Sequence, residues 1–255
     1  MTMSGEARGR RVVVTGAGSG IGRSVAARLR EEGASVVAMD LVPDRDHAAA
    51  GTDDGLLPVG CDVRDESSVA AAFATATDFL GGMDGLVTCA GVTDGSPTTE
   101  MTLQSWETVL GVNLTGTFLC IRAALPSLLA GEAPAVVTVG SVGSLVAAGR
   151  SAAYDASKGG VLALTRGLAA EYADRGLRAN CVCPGLVDTG LAGNSSARVG
   201  LDPEARTGVP GRVVPPIRRA AAPTEIADVV TFLLSARASF VTGAAYAVDG
   251  GYSAV

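Results

Sequence analysis

The chain has 255 residues, 47% of them hydrophobic, 18% charged and 4% aromatic, with a formal net charge of −6. That apolar share excludes a disordered chain and implies a core of Ala, Val, Leu and Ile, which suits helices packed closely on a parallel sheet. The acidic balance, without a Lys/Arg-dense run, speaks against a nucleic-acid binder. No uninterrupted apolar stretch reaches the roughly 18 residues of a membrane helix.

Short β-branched runs alternate with longer helical patterns along the chain. Arg11–Thr15 reads as a strand, and Ile21–Glu32 as a helix with Val25, Ala26 and Leu29 on one face and Gly33 as its stop. Strands follow at Ser35–Asp40 and Leu56–Cys61, then a helix over Glu66–Leu80 that Asp65 can cap. Gly85–Cys89 reads as the fourth strand, Trp106–Leu129 as one long helix, Ala135–Val139 as the fifth strand and Ala152–Ala173 as a second long helix. Arg178–Cys183 is a sixth strand stopped by Pro184-Gly185. Thr224 is placed as the cap of a helix from Glu225 to about Leu234, and Ala245–Val248 is the last strand. The alternation implies an α/β fold: a Rossmann-type, doubly wound parallel sheet with helices on both faces, in a single domain over residues 1–255. Asp188–Pro216, rich in Gly, Pro, Ser and Arg, reads as a long irregular loop, and such loops inside compact domains usually serve function.

Five cysteines, Cys61, Cys89, Cys120, Cys181 and Cys183, form no paired framework and suit a reducing compartment. No apolar run follows the polar N-terminus, so no signal peptide is read there and the expected compartment is the cytoplasm. Cys181 and Cys183 share a strand face, but without a second Cys/His pair they read as small buried hydrophobes rather than metal ligands. The one histidine, His47, falls in a polar stretch and reads as a surface loop residue. One histidine excludes a multi-His metal site and argues against a Ser–His–Asp triad.

The first strand runs into Thr15-Gly16-Ala17-Gly18-Ser19-Gly20-Ile21-Gly22, which opens the first helix. Glycines in a strand–turn–helix context let the backbone approach a pyrophosphate, and the helix N-terminus offers N–H groups and partial positive charge. Asp40, at the end of the second strand, is placed to accept from adenosine ribose hydroxyls and to repel a 2′-phosphate. Leu41 follows it, and no Arg or Lys lies within the turn, so NAD is favoured over NADP. The plainer alternative is that Asp40 caps the next turn.

Tyr154 and Lys158, four apart on a helix, share a face. A free phenol ionises near ~10, and lowering that by two to three units takes about 3–4 kcal/mol, which a close ammonium in a water-poor pocket can supply. Ser141 stands at the carboxyl edge of the sheet, where doubly wound proteins bind ligands.

These residues carry a resemblance over roughly residues 9–252 to the single-domain branch of the short-chain dehydrogenase/reductases. Thr15–Gly22 resembles the family's TGxxxGxG turn, Asp62-Val63 its adenine contact, Asn113 its relay asparagine, and Ser141, Tyr154 and Lys158 its catalytic Ser and YxxxK pair. Pro184-Gly185 with Val187 and Thr189 resembles the segment touching the nicotinamide carboxamide, and Val248–Gly251 the C-terminal signature. The resemblance implies Tyr154 as general acid/base, Lys158 lowering its pKa and binding the nicotinamide ribose, Ser141 holding the substrate oxygen, and Asn113 with a water linking Lys158 to solvent. Two departures stand out. Cys89-Ala90-Gly91 replaces the family's Asn-Ala-Gly beside the cofactor, and Asp155 follows the tyrosine, where it is expected to face away from the phenol.

The loop 188–216 takes the place of the family's substrate lid. Gly143, Leu145, Val146, Val187 and Leu191 are candidates for the pocket wall, and Arg150 for meeting an anionic group, against the plainer reading of a solvated arginine. The expected function is hydride transfer between a secondary alcohol or its ketone and NAD(H), in a homotetramer or dimer whose two long helices pair between subunits. Alternatives are an NADPH-dependent 3-oxoacyl-thioester reductase and a silent NAD-binding sensor or scaffold.

Overall fold

The computed structural model describes residues 7–43, 55–147, 152–201 and 214–254. Within them β1 (Arg11–Thr15), β2 (Ser35–Asp40), β3 (Leu56–Gly60), β4 (Gly85–Thr88), β5 (Ala135–Val139), β6 (Arg178–Pro184) and β7 (Ala245–Val248) form one sheet in the order β3-β2-β1-β4-β5-β6-β7. All six pairings are parallel, with Thr15 opposite both Met39 and Thr88 and Val139 opposite Val182. The order reverses between β1 and β4, and the crevice outside the carboxyl ends at such a switch point is where doubly wound sheets take ligands.

Alternate residues of each strand feed two cores. Val13, Val37, Leu86 and Val136 face α2 (Glu66–Leu80), the long helix pair described next and α5 (Ala152–Tyr172). Val12, Val14, Val87, Val137 and Val182 face α1 (Gly20–Glu31) and α7 (Pro223–Leu234). Each such fully buried Val or Leu contributes about 1.5–3 kcal/mol of transfer free energy, and the strands read as apolar runs because both faces are covered.

The predicted helix 106–129 begins earlier and is continuous, but it carries a π-helical turn. Thr102 accepts from the Ser105 N–H and starts α3 (Leu103–Leu110). A π-helical turn, Gly111–Thr115, then carries Asn113 before α4 (Gly116–Leu128). A π turn holds one extra residue and re-aims its side chains, a feature that hydrophobic period alone does not encode. The continuous helix Leu103–Leu128 is long and apolar enough by length and composition to cross a membrane, although polar residues interrupt its apolar run. Half of its most apolar window is buried here as core.

Asp65 caps α2 as expected, accepting from Ser67 N–H at 2.9 Å. Thr224 does not cap α7. Ala222 is the cap residue, Pro223 takes the first helical position, and the Glu225 carboxylate reaches back to the Ala222 N–H at 2.8 Å. The region 188–216 is not all irregular, since α6 (Leu191–Val199) lies within it and ends on Gly200 at φ +69°. His47, Arg150, Pro203 and Pro210 fall outside the described residues.

Candidate active site

The glycine turn is shaped by close approaches. Gly16 has φ +68°, and a Cβ there would lie 2.5 Å from the Ala90 nitrogen. A Cβ at Gly18 would lie 2.8 Å from the Asp40 carboxyl carbon, and one at Gly22 would collide with the Gly16 carbonyl. Each glycine thus packs the turn against its own neighbours and leaves a cradle over the start of α1. Ser19 precedes α1 in extended conformation without using its hydroxyl as a cap, which leaves the first-turn N–H groups available to an anion. Ile21 packs its side chain on the α1–α7 core. A dinucleotide pyrophosphate fits this cradle.

Asp40 is nearly covered, and its carboxylate accepts from Gly18 N–H at 2.9 Å and Val42 N–H at 3.0 Å. The turn-capping alternative is therefore physically present. Leu41, next to it, is exposed. At the end of β3, Asp62 is held by Arg64 at 2.7 Å, whose guanidinium outweighs burial and keeps the carboxyl below its ordinary value. Val63 is buried against the α3–α4 core.

The chemical end gathers at the tips of β4, β5 and β6. Lys158 is 4% exposed, and its ammonium donates to the Val139 carbonyl at 2.8 Å and lies 5.8 Å from the centre of the Tyr154 ring. Burial lowers its pKa, while Cys181, Cys89 and Cys183 act in the opposite direction. Ser141 starts a short turn (Val142–Ser144) whose Ser144 hydroxyl accepts from Ser141 N–H and donates to the Lys158 carbonyl at 2.7 Å. This ties the serine to the helix that carries Tyr154. The Ser141 hydroxyl accepts from Gly143 N–H at 3.1 Å. Asp155 packs its carboxylate on Gly143, so it faces the serine turn and reaches the site from that side.

Asn113 bonds Val92 through N–H and carbonyl, at 2.8 and 3.0 Å, and the Ser157 hydroxyl at 2.9 Å. Its side chain clamps the segment after β4 to α5. A Cβ at Gly91 would lie 3.5 Å from both the Asn113 Oδ1 and the Lys158 Nζ, so glycine keeps open the space between them. Cys89, in place of an asparagine, packs partly on the α1–α7 core, and burial pushes its thiol up to about 12. The turn keeps its backbone bonds to Thr15, from Cys89 N–H at 3.1 Å and from Ala90 N–H to the Thr15 hydroxyl at 3.5 Å.

Cys181 and Cys183 do share a face, with sulfurs 3.8 Å apart. The Cys183 thiol bonds the Cys181 sulfur, which favours a Cys181 thiolate and holds Cys183 protonated. Pro184 ends β6 opposite Val248. A Cβ at Gly185 would lie 2.8 Å from the Asp249 Cα, so the two C-terminal motifs pack on each other. Val187 bridges Ala221. Leu145 and Val146 are exposed near Ser141, and Leu191 opens α6.

A family model described as enoyl-(acyl carrier protein) reductase matches residues 16–253. The chain is 37% identical to 2-(S)-hydroxypropyl-CoM dehydrogenase 3 of Xanthobacter autotrophicus, over 99% of this chain and 100% of that one. It is 42% identical to cis-4-hydroxycyclohexanecarboxylate dehydrogenase of Sinomonas cyclohexanicum, over 98% and 100%. The crystal structure of levodione reductase superposes with a TM-score of 0.85 at 34% identity, covering 97% of this chain and 99% of that one. The chain belongs to the short-chain dehydrogenase/reductase family. As a member it is an oxidoreductase working with a nicotinamide cofactor.

Against this family frame, the residues missed in the sequence lie on α6. The Arg198 guanidinium pairs with Asp40 at 2.7 Å, the Asn194 amide donates to the Ser19 hydroxyl at 3.0 Å, and the Ser195 hydroxyl accepts from Thr93 N–H at 2.9 Å. No Arg or Lys lies within the glycine turn itself, but the fold supplies a cation to Asp40 from outside it, which the inference from the turn to NAD did not include. Arg198 lies 158 residues further on, and only the fold brings it there. The signal available was Gly200, a helix stop directly after an arginine-bearing turn.

Proposed function

We propose that this short-chain dehydrogenase/reductase moves a hydride between a secondary alcohol, or its ketone, and NAD(H). One observation carries the reading: a buried ammonium and a phenol ring share one helix face, 5.8 Å from cation to ring centre, at the sheet edge that also presents Ser141. Tyr154 as phenolate accepts the alcohol proton, or as phenol returns it to the carbonyl. Lys158 favours the phenolate, and Ser141 holds the substrate oxygen. Asn113 fixes the Val92 segment beside Lys158, where a water links the ammonium to solvent. Gly16 to Gly22 hold the pyrophosphate, and Asp40 with Leu41 the adenosine ribose. Asp62-Val63 contact the adenine, Cys89 to Gly91 line the floor, and Pro184 to Thr189 hold the carboxamide. NAD, when bound, supplies the hydride acceptor. The alcohol dehydrogenase relatives support a CH–OH substrate, and five unbridged cysteines support a cytoplasmic setting.

A second reading, an NADPH-dependent 3-oxoacyl-thioester reductase, draws on Arg198, a cation beside the ribose position. Turnover of a panel of secondary alcohols and diols, followed at the nicotinamide absorbance with NAD and NADP side by side, separates the two. At least tenfold higher kcat/KM with NAD is expected, and a preference for NADP would overturn the Asp40 assignment.

A further inference from the structure

We propose that Arg198 makes α6 a strap across the adenosine half of the cofactor groove, which the dinucleotide must lift from Asp40 in order to bind. The inference rests on Asp40 being the ribose acceptor.

Asn194 and Arg198 are four apart on α6, so they project from one face, one turn from each other. That face meets two groups the cofactor needs. Asn194 takes the Ser19 hydroxyl, in the pyrophosphate turn, and Arg198 takes Asp40 Oδ1. The Ser195 hydroxyl, which also donates to the Leu191 carbonyl, fixes the same helix to Thr93 across the crevice, and Ser195 is fully buried. At the helix entry, a Cβ on Gly20 would come within 3.2 Å of Thr189. The strap therefore runs from Ser19 and Gly20, at the end of the glycine turn, to Asp40.

Asp40 cannot give both of its oxygens to a ribose diol while it holds the guanidinium. Its Oδ2 accepts from Gly18 N–H, and its Oδ1 already accepts from both Val42 N–H and Arg198. The carboxylate side chain is 5% exposed and the arginine 26% exposed. One acceptor site is left, on Oδ2, so a ribose diol takes both oxygens only after the guanidinium withdraws. A protein whose competent state is a fraction of the population binds with an affinity reduced by that fraction. Removing Arg198 leaves Asp40 its two backbone N–H bonds, so the carboxylate stays satisfied and the fold survives the substitution.

The test uses the full-length enzyme and the variants R198A and N194A. Hydrogen exchange of residues 191–199 without cofactor is expected to be roughly tenfold faster in R198A. Stopped-flow NADH fluorescence should show association roughly tenfold faster and binding several-fold tighter, with N194A shifting both readouts the same way by less. Wild-type exchange in R198A, or NADH binding that is unchanged or weaker, would overturn the strap. NADPH binding lost in R198A while NADH binding stays unchanged would also overturn it, by placing the guanidinium on the 2′-phosphate. The cofactor reading fails separately, if the wild type prefers NADPH. The exchange measurement needs no cofactor and still decides whether Arg198 holds α6.

Discussion

A lysine ammonium enclosed as Lys158 is stays useful only where its charge has work to do on a neighbour. Here the ammonium donates a hydrogen bond to the Val139 carbonyl and the Tyr154 ring lies within 6 Å. Replacing it with a neutral residue of similar length removes the influence that favours the phenolate. Lys158→Met is expected to cut kcat/KM at pH 7 by about 10²-fold or more, with the residual rate climbing towards the phenol's ordinary value near ~10. A pH–rate profile checks this, and an unshifted profile would remove the lysine from the account. A second residue tests the core rather than the chemistry. The buried Thr88 hydroxyl has no hydrogen-bond partner among the described residues. Thr88→Val should be neutral or stabilise by about 1 kcal/mol in urea denaturation.

At the scale of elements, Asp84 pins the amino end of β1 to the segment before β5. It accepts from the Arg11 main-chain N–H at 3.1 Å, from its guanidinium at 2.6 and 2.9 Å, and from Glu132 N–H at 3.1 Å. Burial opposes the charge, but Arg11 and these N–H groups prevail and hold the carboxyl below its ordinary value of 3.8. A folded value below the unfolded one gives stability that is fully present above the unfolded value and is lost as pH falls through the folded one. Urea midpoints from pH 6 to 3 should therefore fall less steeply in Asp84→Asn than in the wild type, with a cost of about 1–2 kcal/mol at pH 7. A parallel pair of curves would contradict it.

Elements with strong periodicity were legible to within a few residues, because buried β-branched runs and capped amphipathic helices are local signals. The Asp65 cap was legible for the same reason. Others needed tertiary information. Ala222 displaces Thr224 as a cap because Pro223 suits the first helical position and Glu225 reaches back. The π turn at Asn113 leaves no mark on hydrophobic period. The segment holding α6 is Gly- and Ser-rich, and its partners Ser19, Asp40 and Thr93 are remote in sequence. The glycine turn and the Tyr154–Lys158 pair were legible because each is a short contiguous motif. The Arg198 contact was not.

For the whole molecule, the long helix leaves Leu103 and Phe118 exposed, and pairing of such helices between copies would cover them. Light scattering at micromolar concentration is expected to give a multiple of 25.4 kDa. A monomer would contradict the expected tetramer or dimer. The parallel sheet brings the tips of β1, β2, β4, β5 and β6 to one edge, so the glycine turn, the Tyr154–Lys158 pair and Ser141, proposed as cofactor cradle, acid/base pair and substrate serine, meet there although the site is spread from Gly16 to Thr189. The most direct test of that convergence is single-turnover hydride transfer in Tyr154→Phe, with NADH affinity measured on the same protein. Loss of the phenol hydroxyl should slow the transfer by about 10²–10⁴-fold and leave NADH binding within about threefold of wild type. Transfer at the wild-type rate would contradict the account.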